Sequence, residues 1–149
     1  MTTEVRIKKS RIYLPHLRKI VSSLAAGLGM SRDEVRDAEE AVHEVCVSSI
    51  RAAEGDGQGS LCIKLHTCDN CMTVDICDPA CCFTPPANRQ WLVGAASAGT
   101  FQKLRLLADE IQFMPADDGA TVRLTKYVRE AEDAVSVCLS QSPTSTLQV

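Results

Sequence analysis

The sequence predicts an α+β two-layer α/β sandwich, with helices over one face of a mixed, mostly antiparallel sheet. Three observations point there. Short segments with period-two alternation come in hairpin-like pairs, longer segments carry apolar residues at helical spacing, and the two kinds are grouped along the chain without strict alternation. A length of 149 residues suits one domain with one core.

From Thr3 to Lys9, Val5 and Ile7 alternate with charged residues, the pattern of a half-buried strand. Leu14, Leu17, Ile20, Val21, Leu24, Ala25 and Leu28 then recur at helical spacing, and Gly27 and Gly29 supply a stop. Ser31, three residues before Glu34, makes a capping box that starts a second helix running to about Ala53. The glycine-rich segment Glu54 to Ser60 ends it.

Leu61 to Thr67 and Met72 to Cys77 alternate apolar and polar residues across the tight turn Cys68-Asp69-Asn70-Cys71, which predicts a hairpin. Asp78 to Ala96 holds three prolines and reads as a long loop covering a site. Helical spacing returns at Phe101, Leu104, Leu107 and Ala108. Ile111 to Met114 and Thr121 to Thr125 form a second hairpin across Asp117, Asp118 and Gly119. A last helix is expected from about Tyr127 to Leu139, closing a domain of residues 1–140. The Ser, Thr and Pro of 141–149 predict a disordered tail.

Sixteen basic and nineteen acidic side chains give a net charge of −3, which offers no footprint for a nucleic acid. Apolar stretches such as Trp91 to Ala98 fall short of the ~20 residues that span a bilayer, so no membrane partner is expected. Met1 to Arg11 is mixed and polar, unlike a secretory signal, which places the chain in the cytoplasm. The eight cysteines then read as free thiols: small buried hydrophobes, metal ligands or redox groups.

Three residues suggest chemistry. Glu44 and Ser48 are four apart on the second helix and share a face, so the carboxylate can serve as general base while the neighbouring oxygen contacts a metal ion on phosphates. By spacing alone the same pair is an ordinary solvated face. Asp78 ends an apolar strand and faces the loop, where a carboxylate can accept a hydrogen bond from an exocyclic amine of a base; beside Pro79 it also suits a plain turn.

The combination of segments carries a resemblance. Ala41-Val42-His43-Glu44-Val45-Cys46-Val47-Ser48-Ser49 is similar to a helix reading Ala-Val-x-Glu-Ala-Cys-x-Asn-Ala. Leu107-Ala108-Asp109-Glu110-Ile111 looks like Leu-Met-Asp-Glu-Val. Gly119-Ala120-Thr121-Val122-Arg123-Leu124-Thr125-Lys126 matches a strand Gly-Thr-x-Val-x-Met-x-Lys. In order and spacing these resemble the bacterial anti-sigma-factor serine kinases, a branch of the Bergerat (histidine kinase-like ATPase) fold shared with Hsp90 and gyrase, over about Val5 to Val128.

The resemblance implies ATP and Mg2+ as cofactors, a sigma factor or an anti-sigma-factor antagonist as protein partner, and a homodimer formed through Val5 to Leu28. It makes Glu44 the general base of phosphoryl transfer to a partner's serine, Asp78 the residue that recognises adenine, and Ser48 the metal-binding position. Ala80, Cys82, Gly99, Thr100 and Thr121 fall at its other nucleotide contacts. Several of these positions depart from the branch. Ser48 stands for a magnesium-binding Asn. The loop Asp78-Pro79-Ala80-Cys81-Cys82-Phe83 lacks both glycines of Asp-x-Gly-x-Gly-Phe, which let the backbone approach the nucleotide. Ala98-Gly99-Thr100-Phe101 replaces the phosphate-binding Gly-Leu-Gly-Leu, and Ala120 replaces a Thr. Each lost contact costs about 1–3 kcal/mol, and their sum is enough to erase micromolar binding.

The expectation is therefore an anti-sigma-factor-type regulator with ATP binding and kinase activity weakened or lost, against the alternative of an active serine kinase. A third class rests on Cys68 and Cys71 with His66, Cys77, Cys81 and Cys82, enough donors for zinc or a thiol switch. Against it, Cys77 lies about six residues, roughly 20 Å, along the strand from the turn, and inert buried thiols are the simpler reading.

Overall fold

Residues 1–52, 59–79, 98–116 and 119–129 of the computed structural model are described, and the elements among them run in the expected order. They are β1 (Thr2–Lys8), a 3-10 turn (Arg11–Tyr13), α1 (Leu14–Gly27), α2 (Arg32–Ala52), β2 (Ser60–Thr67), β3 (Cys71–Asp78), α3 (Ala98–Leu107), β4 (Glu110–Ala116) and β5 (Gly119–Tyr127). The covering loop beyond Pro79, most of the expected last helix and the tail lie outside the described residues. The start of that helix is corrected. Tyr127 remains in β5, paired with Cys71, and its hydroxyl donates to Glu110 Oε2 at 2.6 Å.

The helices begin and end on local chemistry. Pro15 sits in the first turn of α1, where its missing N–H leaves no helical bond unmade. After α1 the chain turns at Gly29, whose φ of 92° lies in the left-handed region that glycine adopts without a Cβ penalty. The capping box forms as its spacing requires: Glu34 N–H donates to Ser31 Oγ at 3.1 Å, and Ser31 N–H donates to Glu34 Oε1 at 2.8 Å.

The five strands lie in the order β1-β2-β3-β5-β4. All four described pairings are antiparallel, so the parallel member of a mixed sheet does not occur among the described residues. Both hairpins are as expected, and β1 and β4 form the two edges.

Period-two alternation puts Leu61, Ile63 and Leu65 of β2, Met72, Val74 and Ile76 of β3, and Val122 and Leu124 of β5 on one buried face. Leu17 and Val21 of α1, Val42, Val45 and Cys46 of α2, and Leu104 of α3 complete the same core. Each fully buried aliphatic side chain contributes about 1.5–3 kcal/mol, so this shared face holds the two layers together.

The opposite face carries charge. Glu4, Lys64, Asp75 and Arg123 stand opposite one another in register across β1, β2, β3 and β5, with Gln112 of β4 next in the row. Arg123 grips Asp75 with two bonds, Nε to Oδ1 at 2.7 Å and a second terminal nitrogen to Oδ2 at 2.9 Å.

Candidate functional site

Three of the residues singled out by sequence, Glu44, Ser48 and Asp78, lie in the C-terminal half of α2 and at the end of β3. Glu44 and Ser48 sit one turn apart on α2. The Glu44 side chain is about one-fifth exposed and reaches α3, where Lys103 Nζ donates to its Oε1 at 2.9 Å. The Glu44 hydrogen bond and charge hold the Lys103 ammonium above its usual pKa. Ser48, at the metal position, is buried.

Asp78 is the most deeply buried of the three. It occupies the fourth place in the inward row Met72, Val74, Ile76, Asp78, at the end of a strand in the middle of the sheet order. Its side chain is 0% exposed. A carboxylate buried in an apolar row is costly unless it is paired and hydrogen-bonded.

Both requirements are met from within the chain. Lys9, the residue after β1, is 2% exposed at its side chain and places Nζ 2.8 Å from Asp78 Oδ1 and 2.9 Å from Oδ2. Ser49 of α2 donates its hydroxyl to Oδ2 at 2.5 Å. The Lys9 stem lies over Gly59: a Cβ built there would stand 3.4 Å from Lys9 Cδ, and Lys9 N–H donates to Gly59 O at 3.1 Å.

The remaining candidates are spread out. Thr121 is half-buried on β5, directly opposite Cys77, and belongs to the face away from the helices. Its neighbour Ala120 is the residue paired with Asp78 on the buried face. The geometry therefore does not bring Thr121 to Asp78. Gly99 and Thr100 lie in the first turn of α3, and Ala80 and Cys82 lie outside the described residues.

The Asp78 carboxylate, to which the resemblance gives an adenine contact, is already paired from within the chain. A carboxylate offers about four acceptor directions. A buried ammonium and a hydroxyl already take three contacts on it. Among the described residues there is no group of three His, Cys, Asp or Glu side chains that could hold a metal.

Of the hairpin cysteines considered for zinc, Cys81 and Cys82 lie outside the described residues. Cys68 and Cys71 close the β2–β3 turn as free thiols, Cys68 N–H donating to Cys71 O at 2.9 Å. Burial, and then Cys68, push the Cys71 thiol above its usual pKa, which disfavours a reactive thiolate. Cys46 is fully buried in α2 and its thiol is pushed up to about 12 by desolvation alone, an inert core residue.

Sequence reasoning passed over Lys9, Ser49 and Lys103. A signal existed for two of them. Period two placed Asp78 inward, where it must have a cation, and Ser49 stands where the resembling helix has Ala. Lys103 gave no signal, because a charged residue on a short amphipathic helix reads as solvated.

No protein-family model matches the chain. Among curated proteins it is 24% identical over 141 residues to the serine-protein kinase RsbW of Halalkalibacterium halodurans, covering 88% of this chain and 86% of that protein. It is also 24% identical over 136 residues to the serine-protein kinase RsbW of Bacillus velezensis, with 84% of each chain covered. Among solved structures it is similar to the RsbU and RsbW domains of a Mycobacterium tuberculosis protein, with a TM-score of 0.62 and 13% identity. That match covers 85% of this chain and 32% of the two-domain chain, and it supports the fold alone.

Proposed function

We propose, from weak but consistent homology to the RsbW serine-protein kinases over most of the chain, that this protein is an anti-sigma-factor-type regulator. It captures a sigma factor or an anti-sigma-factor antagonist by protein–protein contact, in the cytoplasm, with ATP binding and kinase activity weakened or lost. No helix among the described residues is long and apolar enough to cross a membrane, which suits this role. A homodimer through Val5 to Leu28 is part of the reading, and the edge position of β1 supports it.

The observation that carries the weakened chemistry is the Lys103–Glu44 pair. Lys103 Nζ stands 2.9 Å from Glu44 Oε1, so one of the two oxygens that could take a proton from a serine hydroxyl is already held by an ammonium. The buried Ser48 hydroxyl one turn on is a poor substitute for an amide oxygen at a metal.

The alternative of an active serine kinase is favoured by one feature. Glu44 is retained on α2 and keeps about one-fifth of its side chain in solvent.

Purified protein mixed with the sigma factors and anti-sigma-factor antagonists of its own genome separates these readings. A stable complex on gel filtration without nucleotide, and no phosphoserine on the antagonist, is the expected result. Phosphoserine formed by the wild type and lost in Glu44→Gln establishes the kinase, and failure to bind any such partner rejects the regulator.

A further inference from the structure

We infer that Lys9 and Ser49 occupy the acceptor oxygens that the resemblance assigns to adenine, so that Asp78 is an internal counter-ion of this protein and takes no nucleotide. The inference rests on the reading of the chain as a regulator with an altered nucleotide site, and it deepens that reading by naming what stands in the altered place.

The reasoning starts from the row Met72, Val74, Ile76, Asp78. Continuing an apolar row into a carboxylate commits that carboxylate to the interior, where it demands a positive charge and hydrogen-bond donors. A ligand could supply donors in a nucleotide-binding protein. Here the chain supplies them, from two elements far apart in sequence.

Lys9 comes from 69 residues away and meets both carboxylate oxygens, while Ser49 meets Oδ2 from α2. The resembling helix motif ends Asn-Ala, and at its last position this chain has the hydroxyl of Ser49. Two unrelated side chains thus serve one carboxylate. Gly119 then fixes the backbone beneath it, because any side chain there would collide with Asp78 O.

An adenine amino group is a neutral donor. At Asp78 it competes with a charge-assisted bond from Lys9, whose side chain is 2% exposed. The ligand offers Asp78 nothing that the unliganded protein lacks. With no differential interaction there is no affinity to gain from this contact.

Calorimetric titration of the wild type with magnesium-ATP and magnesium-ADP, and thermal melts of Lys9→Met, Asp78→Leu and the double variant, test the inference. The wild type should show no binding heat at millimolar nucleotide. Each single variant removes one member of the buried ion pair and should melt roughly 10 °C lower, while the double variant, with the pair replaced by apolar groups, should recover most of that loss. Should Asp78→Leu fail to fold, Lys9→Met and the double variant still give the comparison.

Two results overturn the inference. One is submillimolar magnesium-ATP binding by the wild type that the double variant abolishes. The other is a double variant that melts no higher than Lys9→Met, which would mean that the two groups are not coupled. Neither readout needs a protein partner, so this inference and the proposed capture of a sigma factor or antagonist can fail separately.

Discussion

Gly119 stands so close to Asp78 that a Cβ built on it would lie 2.6 Å from the Asp78 carbonyl oxygen and 2.9 Å from Pro79 Cα. Its φ of 140° is also a conformation that side-chain-bearing residues rarely adopt. The resembling strand has glycine at this place, and the close approach of two backbones explains it here without reference to a ligand. The start of β5 lies against the point where β3 ends, beside Asp78.

Gly119→Ala should therefore cost at least about 1–3 kcal/mol for the backbone conformation alone, with the collision added. Thermal melting should show a midpoint lower by several degrees. An unchanged midpoint would mean that β3 and β5 can separate at this end without loss.

Cys46 makes stability depend on pH in the alkaline range. Its folded-state thiol is pushed up to about 12, against 9.0 for the ordinary group, so the folded protein holds the proton while the unfolded chain releases it. The sign follows from that difference. The contribution is fully present below pH 9 and is lost as pH rises toward 12, by about 1.4 kcal/mol per unit within that window. Urea melts at successive pH values should show a steeper fall above pH 9 for the wild type than for Cys46→Ala, since only the wild type carries this proton.

Glu34 joins the start of one helix to the end of the last strand. One oxygen accepts Ser31 N–H at 2.8 Å and the other accepts Arg129 N–H at 2.8 Å. Arg129 in turn reaches Asp109 Oδ1 at 2.8 Å, and Asp109 Oδ2 accepts Tyr127 N–H at 2.7 Å. Glu34→Ala should cost about 1–2 kcal/mol, more than a helix cap alone. Amide exchange should speed up at both Ser31 and Arg129; acceleration confined to α2 would show that the strand end does not depend on Glu34.

Most of the fold was legible because it obeys local rules. Ser31 and Glu34 announced the start of α2, and alternation in Leu61 to Thr67 and Met72 to Cys77 gave the hairpin and its inward face. The exception near Tyr127 is instructive. Its flanking sequence suits a helix, yet pairing with Cys71 and the bond to Glu110 extend β5 through it, an instance of tertiary contacts overriding propensity.

The candidate site was legible only in part, for a different reason. Glu44, Ser48 and Asp78 could be found from motif order, but what each touches is set by contacts between distant segments. Lys9 follows a strand whose charges alternate outward, so nothing local marks it as buried. Its partner becomes evident only when β1, β2 and β3 are laid side by side and the end of β1 meets the end of β3.

The row Glu4, Lys64, Asp75, Arg123 on the open face has a parity of its own. Its signs alternate strand by strand, so inverting all four would leave every neighbour opposite in charge, whereas inverting one inner member sets like charges together on both sides. Variation across this checkerboard should come in linked blocks, and the order of strands in the sheet is thereby written a second time, in charge, on the face that takes no part in the core.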